Sequence, residues 1–323
     1  MPYYPPQPDH KTSDHPPQKG IILRRMILCA SIILITFGIV CFIGYGSDLV
    51  SSRQTTQELR EIAAELDSSE SPVSATELIT AQLFAETPFT PAPTDLQTKE
   101  NAVLSDSLPE IEYSNGYALV PRIQKLRKKS KYIIGWITMD NLDEPVVQKD
   151  NTFFLNHDAT GKRNSNGAVF MDESVRLLTR PYTILLYGHN MKSGAMFGHL
   201  RKYEEFSYYY KHRVFQFDTL YEEGQYVIFA VETISLTPGK ARYLNLAELQ
   251  SSNRKARQKA LNALTDHSLH DTMLDVNEED QILLLITCVG DDDERLIIAA
   301  RRLRDGEQAN KLELEANRVE GGR

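Results

Sequence analysis

From Met26 to Ser47 the chain reads MILCASIILITFGIVCFIGYGS, 22 residues without a charge. As a helix this run rises about 33 Å, enough to cross the hydrocarbon core of a bilayer. It is too long for the apolar core of a signal peptide, and no A-x-A cleavage site follows it. The run therefore reads as one uncleaved transmembrane helix, with a cleaved signal as the alternative. Lys19, Arg24 and Arg25 precede it, while Asp48 and a lone Arg53 follow. The positive-inside bias puts the N-terminus in the cytoplasm and everything after residue 47 outside, in a single-pass protein of the cell membrane.

The anchor divides the rest of the chain. Residues 1–20, rich in Pro, Tyr and Gln, read as a disordered cytoplasmic tail, and residues 21–47 as the anchor. Residues 48–112 read as an extracellular spacer: QELREIAAELDSS has the spacing of a short stalk helix, and a stretch rich in Ser, Thr, Pro and acid follows it. The net charge of −8 sits here, because Ser51 to Asn115 holds twelve Asp and Glu against three Lys and Arg. The remainder is close to neutral and offers no basic field to nucleic acid, so nucleic-acid partners are not expected. Residues 113–305 carry the folded domain, and residues 306–323 form a polar tail.

Within 113–305, short runs rich in Val, Ile, Phe and Tyr recur between turn residues: GWITM, PVVQ, GAVFM, TILLYG, RVFQF, YVIFAVETI, QILLLIT and RLIIAAR. Their spacing predicts a mainly β fold, a barrel or sandwich of about eight strands. LVPRIQKLRKKSKY before them reads as a short helix. Asn245 followed by Glu248 matches a capping box, and Leu249, Ala256, Ala260, Leu261 and Leu264 keep one face apolar, predicting a helix of some five turns between two strands.

Cys29 and Cys41 lie in the apolar run, which leaves Cys288 alone outside the membrane. It can form no internal disulfide, so its thiol is either a core filler or a reactive group. Cys288 stands where the run Gln281–Thr287 stops and the turn Gly290-Asp291-Asp292-Asp293-Glu294 begins. His189 likewise leaves TILLYG at a strand exit; His157, His199 and His212 compete with it on composition alone. Arg295 opens the next strand, and if Thr287 and Arg295 flank a hairpin loop, it faces the cysteine at the same end. Arg301 would lie about 20 Å further along at ~3.3 Å per residue. Thiolate, imidazole and guanidinium at one rim would supply a nucleophile, a proton carrier and oxyanion donors for acyl transfer.

These motifs resemble the class B sortases of Gram-positive bacteria. The stretch GWITMDNLDEPVVQKDNTFFLNHDATGKRNSNGAVFMD is similar to that family in its GWI, PVVQ, LNHD and GA-F-MD elements. YGHNMKSGAMFGHL resembles its histidine motif, and ITCVGDDDERLIIAAR its T-C motif with the arginine strand; the likeness runs from about Leu119 to Leu303. The resemblance implies a closed β-barrel with N-terminal helices and a long helix before the cysteine strand. It implies His189, Cys288 and Arg295 as the catalytic group, and Asn156 and Thr287 as residues of the substrate groove. It further implies a membrane-anchored cysteine transpeptidase, which cleaves a C-terminal sorting signal after Thr and passes the secreted protein, through a thioacyl-enzyme, to an amine of a peptidoglycan precursor or a pilin. No cofactor and no metal are expected. The acidic turn Asp291–Glu294 reads as a solvated hairpin turn with bound calcium as the alternative, and its charge should disfavour a thiolate at Cys288. A cysteine hydrolase, in which water resolves the acyl-enzyme, and a non-catalytic tethered interaction domain remain open alternatives.

Overall fold

A computed structural model describes residues 18–67, 113–114, 117–288, 294–309 and 311–312. Residues 1–17 of the expected tail 1–20, the spacer from 68 to 112, the acids Asp291–Asp293 and the last eleven residues lie outside the described residues, as does the side chain of Cys288, while residues 18–20 of that tail are helical.

The chain divides into two compact units, residues 1–49 and 50–323. The helix α1 (Gln18–Asp67) begins in the first unit, where it carries the uncharged run, long and apolar enough to cross a membrane and with its apolar side chains exposed. Its Ser and Thr hydroxyls bond back into the helix, Ser31 Oγ to the Ile27 carbonyl at 2.9 Å and Thr36 Oγ1 to Ile32 at 3.0 Å, so these groups are satisfied without water.

The second unit is built on a closed barrel. In chain order its elements are β1 (Tyr113–Ser114), β2 (Tyr117–Ala118), α2 (Pro121–Arg127), β3 (Ile133–Met139), β4 (Leu142–Val147), β5 (Val169–Met171), β6 (Thr183–Gly188), α3 (Phe206–Lys211), β7 (Val214–Thr219), β8 (Gln225–Ser235), α4 (Leu246–Leu249), α5 (Arg254–Asp266), β9 (Ile282–Cys288) and β10 (Glu294–Arg302). Eight strands close in the order β10-β8-β7-β3-β4-β5-β6-β9, all antiparallel except β4 beside β5 and β6 beside β9. These are the eight runs read from the sequence. The β1–β2 hairpin was not foreseen.

Strand alternation explains the apolar runs. On β9, Leu283 and Leu285 fill the barrel with Leu296, Ile298 and Ala300 of β10. Ile282, Leu284 and Ile286 face outward under Ala260, Leu261 and Leu264 of α5. A strand covered on both faces needs no polar alternation.

Two elements differ from expectation. The helix before the cysteine strand is broken: Asn245 caps α4, and Asn253 caps α5 separately by accepting from the Lys255 and Ala256 amides. Residues 50–67, placed in the spacer, are helical and pack on the barrel, with Leu59 and Ala63 buried among Ile123, Leu126, Trp136 and Val147. Arg60 binds Asp143, Nε to Oδ2 at 2.8 Å and Nη2 to the carbonyl at 2.6 Å, and Thr56 Oγ1 donates to Glu144 Oε2 at 2.9 Å.

Candidate active site

Three strand ends meet at one mouth of the barrel. Cys288 ends β9 directly opposite Arg295 of β10. On the other side β6 runs parallel to β9, pairing Tyr187 with Ile286 and Gly188 with Thr287. His189 and Cys288 are the residues that directly follow this last pair in their two chain segments. Gly188 is required there, because a Cβ would sit 2.8 Å from the Phe197 ring and push the strand exit outward.

His189 and Arg295 line one cavity of 310 Å³ with Leu155, Phe170, Tyr187 and Ile286, while Asn151 supplies a polar edge. His189 Nε2 lies 2.7 Å from the Leu155 carbonyl. A carbonyl only accepts, so Nε2 carries a hydrogen and Nδ1 is left to exchange a proton with a reacting group. A second, polar groove of 900 Å³ touches the same histidine from the side of Asn190–Gly194 and Arg201. The Arg295 guanidinium donates to the Glu294 carbonyl at 3.0 Å and reaches Tyr187 electrostatically. Burial and the neighbouring Asp172 carboxylate push the Tyr187 phenol well above its usual range, with Arg295 opposing them, so this hydroxyl stays protonated.

The rival histidines are accounted for. His157 stacks on Phe153, with ring centroids 4.0 Å apart, and bonds its carbonyl. His212 sits 4.0 Å from Asp140. His199 lines the polar groove, its pKa lowered by burial and by Lys202. Arg301 is buried and paired with Glu307 at 2.7 Å, and Arg302 pairs with Glu222 at 2.9 Å, both at the other end of β10.

Asn156 and Thr287 are not brought to the cavity. Asn156 caps the 3-10 turn Phe153–Leu155 and is exposed, whereas Leu155 and Asn151 line the wall. Thr287 is 1% exposed, on the barrel-interior face of β9 with Leu285, and its Oγ1 has no hydrogen-bond partner among the described residues. One residue of strand register separates it from the groove face that Ile286 shares. Asn151, Leu155 and Tyr187 were missed as lining residues, although LNHD and YGHN contain or adjoin two of them.

Comparison with known proteins supports the same reading. A model of the sortase domain matches residues 137–303, just over half of the chain. The chain is similar to sortase B of Staphylococcus aureus, 28% identical over 190 residues that cover 57% of this chain and 75% of that protein. It is similar in structure to a sortase B-like protein of Bacillus anthracis, with 30% identity, a TM-score of 0.52, and 61% of this chain and 88% of that one covered. The Staphylococcus aureus sortase B–substrate complex matches at 26% identity and a TM-score of 0.52, over 58% of this chain and 87% of that one.

Proposed function

The chain belongs to the sortase family, class B, whose members are cysteine transpeptidases, and from that premise we propose that Cys288, His189 and Arg295 are its catalytic group. Cys288 sulfur attacks the carbonyl carbon after a threonine in the C-terminal sorting signal of a secreted protein. His189 Nδ1 takes the thiol proton as the sulfur attacks, the Arg295 N–H donors take the developing oxyanion, and the C–N bond then breaks as His189 passes that proton to the departing amine, leaving a thioacyl-enzyme. An amine of a peptidoglycan precursor or a pilin then attacks the thioester, His189 accepts its proton, and the cysteine sulfur leaves as the new amide forms. The observation that carries this reading is the convergence of the β6, β9 and β10 ends around the 310 Å³ cavity.

Two cavities meeting at His189 favour transfer over hydrolysis, because an acyl donor in the apolar one leaves the polar one for a second substrate. In this reading residues 21–47 anchor the protein with its N-terminus in the cytoplasm, and the barrel works outside the membrane on secreted substrates.

The test is incubation with a library of sorting-signal peptides, scored by mass for an adduct on Cys288, then addition of hydroxylamine. The expected result is an adduct that Cys288→Ala abolishes and hydroxamate replacing the free acid. Acid alone would make the protein a hydrolase, and an adduct retained in Cys288→Ala would defeat the assignment.

A further inference from the structure

Beneath the apolar cavity lies a carboxylate that does not line it. Asp172 follows β5, its amide bonded to the Leu185 carbonyl at 3.0 Å and its carbonyl accepting from Gln148 Nε2 at 2.9 Å, so its backbone is fixed from two sides. Its Oδ1 accepts from the Ser174 amide at 2.8 Å and Ser174 Oγ at 2.5 Å. Its Oδ2 accepts from Asn151 Nδ2 at 3.0 Å and from the Tyr187 hydroxyl at 3.2 Å. A carboxylate offers about four acceptor positions, and here all four are used. The Asn151 amide is held at its other end too, where Oδ1 accepts from the Glu173 amide at 2.8 Å.

Asn151 and Tyr187 are the polar wall of the cavity that holds His189 and Arg295, and one oxygen of Asp172 sets both. We propose that Asp172 is a positioning residue for the acyl donor: through Asn151 and Tyr187 it fixes the polar groups against which the sorting peptide is laid before Cys288. The inference rests on the acyl-transfer reading above. It assigns Asp172 to the first half-reaction, in which the peptide is bound and acylates the enzyme, and gives it no part in the attack of the amine.

Asp172→Asn is the natural test. An amide keeps one acceptor oxygen and turns an N–H₂ toward two of the present donors, so either the Ser174 pair or the Asn151–Tyr187 pair loses its acceptor. Tyr187→Phe keeps the ring and its packing and removes only the hydroxyl. Both proteins are compared with the wild type for KM and kcat with a sorting peptide that forms the Cys288 adduct, for the ratio of hydroxamate to acid, and for Tm. The expected result is a KM raised roughly tenfold in Asp172→Asn and less in Tyr187→Phe, since small misplacements of a positioning group act on this scale. The two changes should be non-additive in the double variant, because they break one link. The hydroxamate-to-acid ratio should be unchanged. An unaltered KM in Asp172→Asn, additive effects, or a fall in Tm with KM unmoved would overturn the proposal while the wild-type adduct upholds the acyl-transfer reading. A wild type that forms no adduct would defeat that reading, and this inference with it.

Discussion

Glu144 shows how a single side chain can tie stability to pH. β4 places it under residues 56–60 of α1, with 14% of the side chain exposed. Burial pushes its carboxyl from 4.5 up to about 7; the Thr56 hydrogen bond and Arg60 oppose this only in part, and Asp143 adds repulsion. The folded chain thus holds a proton that the unfolded chain has released above its ordinary value. Stability from this group is greatest below 4.5, falls as pH rises through the window to about 7, and is level beyond. Glu144→Gln keeps an oxygen for Thr56 and removes the titration. Its drop in Tm between pH 5 and pH 8 should be smaller than that of the wild type, and equal drops would refute the assignment. Glu232, raised to about 8 by burial, will preserve part of the slope in the variant.

At the same scale, Arg295→Lys keeps the charge and loses the planar fork. It should lower kcat about 10–100-fold in a peptide-cleavage assay while leaving the Tm unchanged. The proposed group Cys288, His189 and Arg295 stands out in the sequence because each adjoins an apolar run, the first two where a run stops and the arginine where the next one begins. Asn151 and Tyr187 could not: one lies in an aperiodic loop and the other inside a strand, and only the closed barrel turns both onto one cavity.

Among the elements, the loop from Asn151 to Ala168 does the most with the least regular structure. It presents the Leu155 carbonyl to His189, and it holds its shape by the Ala168 amide bonding to the Phe154 carbonyl at 3.0 Å. Gly167 makes that crossing possible with φ of +65°, and a Cβ there would lie 2.4 Å from the Phe154 oxygen. Gly167→Ala should therefore displace the Leu155 carbonyl. The expected outcome is a loss of kcat on the order of tenfold or more, checked by steady-state kinetics beside a near-unchanged far-UV spectrum, because the barrel ladders do not pass through this loop.

Strands were the legible elements, since β-branched and aromatic runs between turns mark them directly. The helix before β9 was legible as a face but not as a break. Leu249 and Ala256 fall on one helical stripe, yet Asn253 recaps the chain at a point where the apolar spacing alone shows no interruption.

For the second compact unit as a whole, the decisive feature is that it begins at Val50 rather than at the barrel. Residues 50–67 looked like spacer because their composition is acidic and polar; among the described side chains only one narrow stripe, Ser52, Thr56, Leu59 and Ala63, is buried. Two kinds of interaction hold this helix, and their magnitudes differ. Arg60 is 37% and Asp143 39% exposed, so their ion pair is screened by solvent and contributes less than about 1 kcal/mol. Leu59 is fully enclosed by α2 and the outer face of β3, and replacing it with alanine opens a cavity worth about 2–4 kcal/mol. Urea unfolding of the unit starting at Val50 should accordingly show Leu59→Ala shifting the midpoint much further than Arg60→Ala, with the same m-value in both. If the order were reversed, docking would be electrostatic and would weaken with added salt. If neither moved the midpoint, residues 50–67 would be a stalk after all, standing off from a barrel that folds without them.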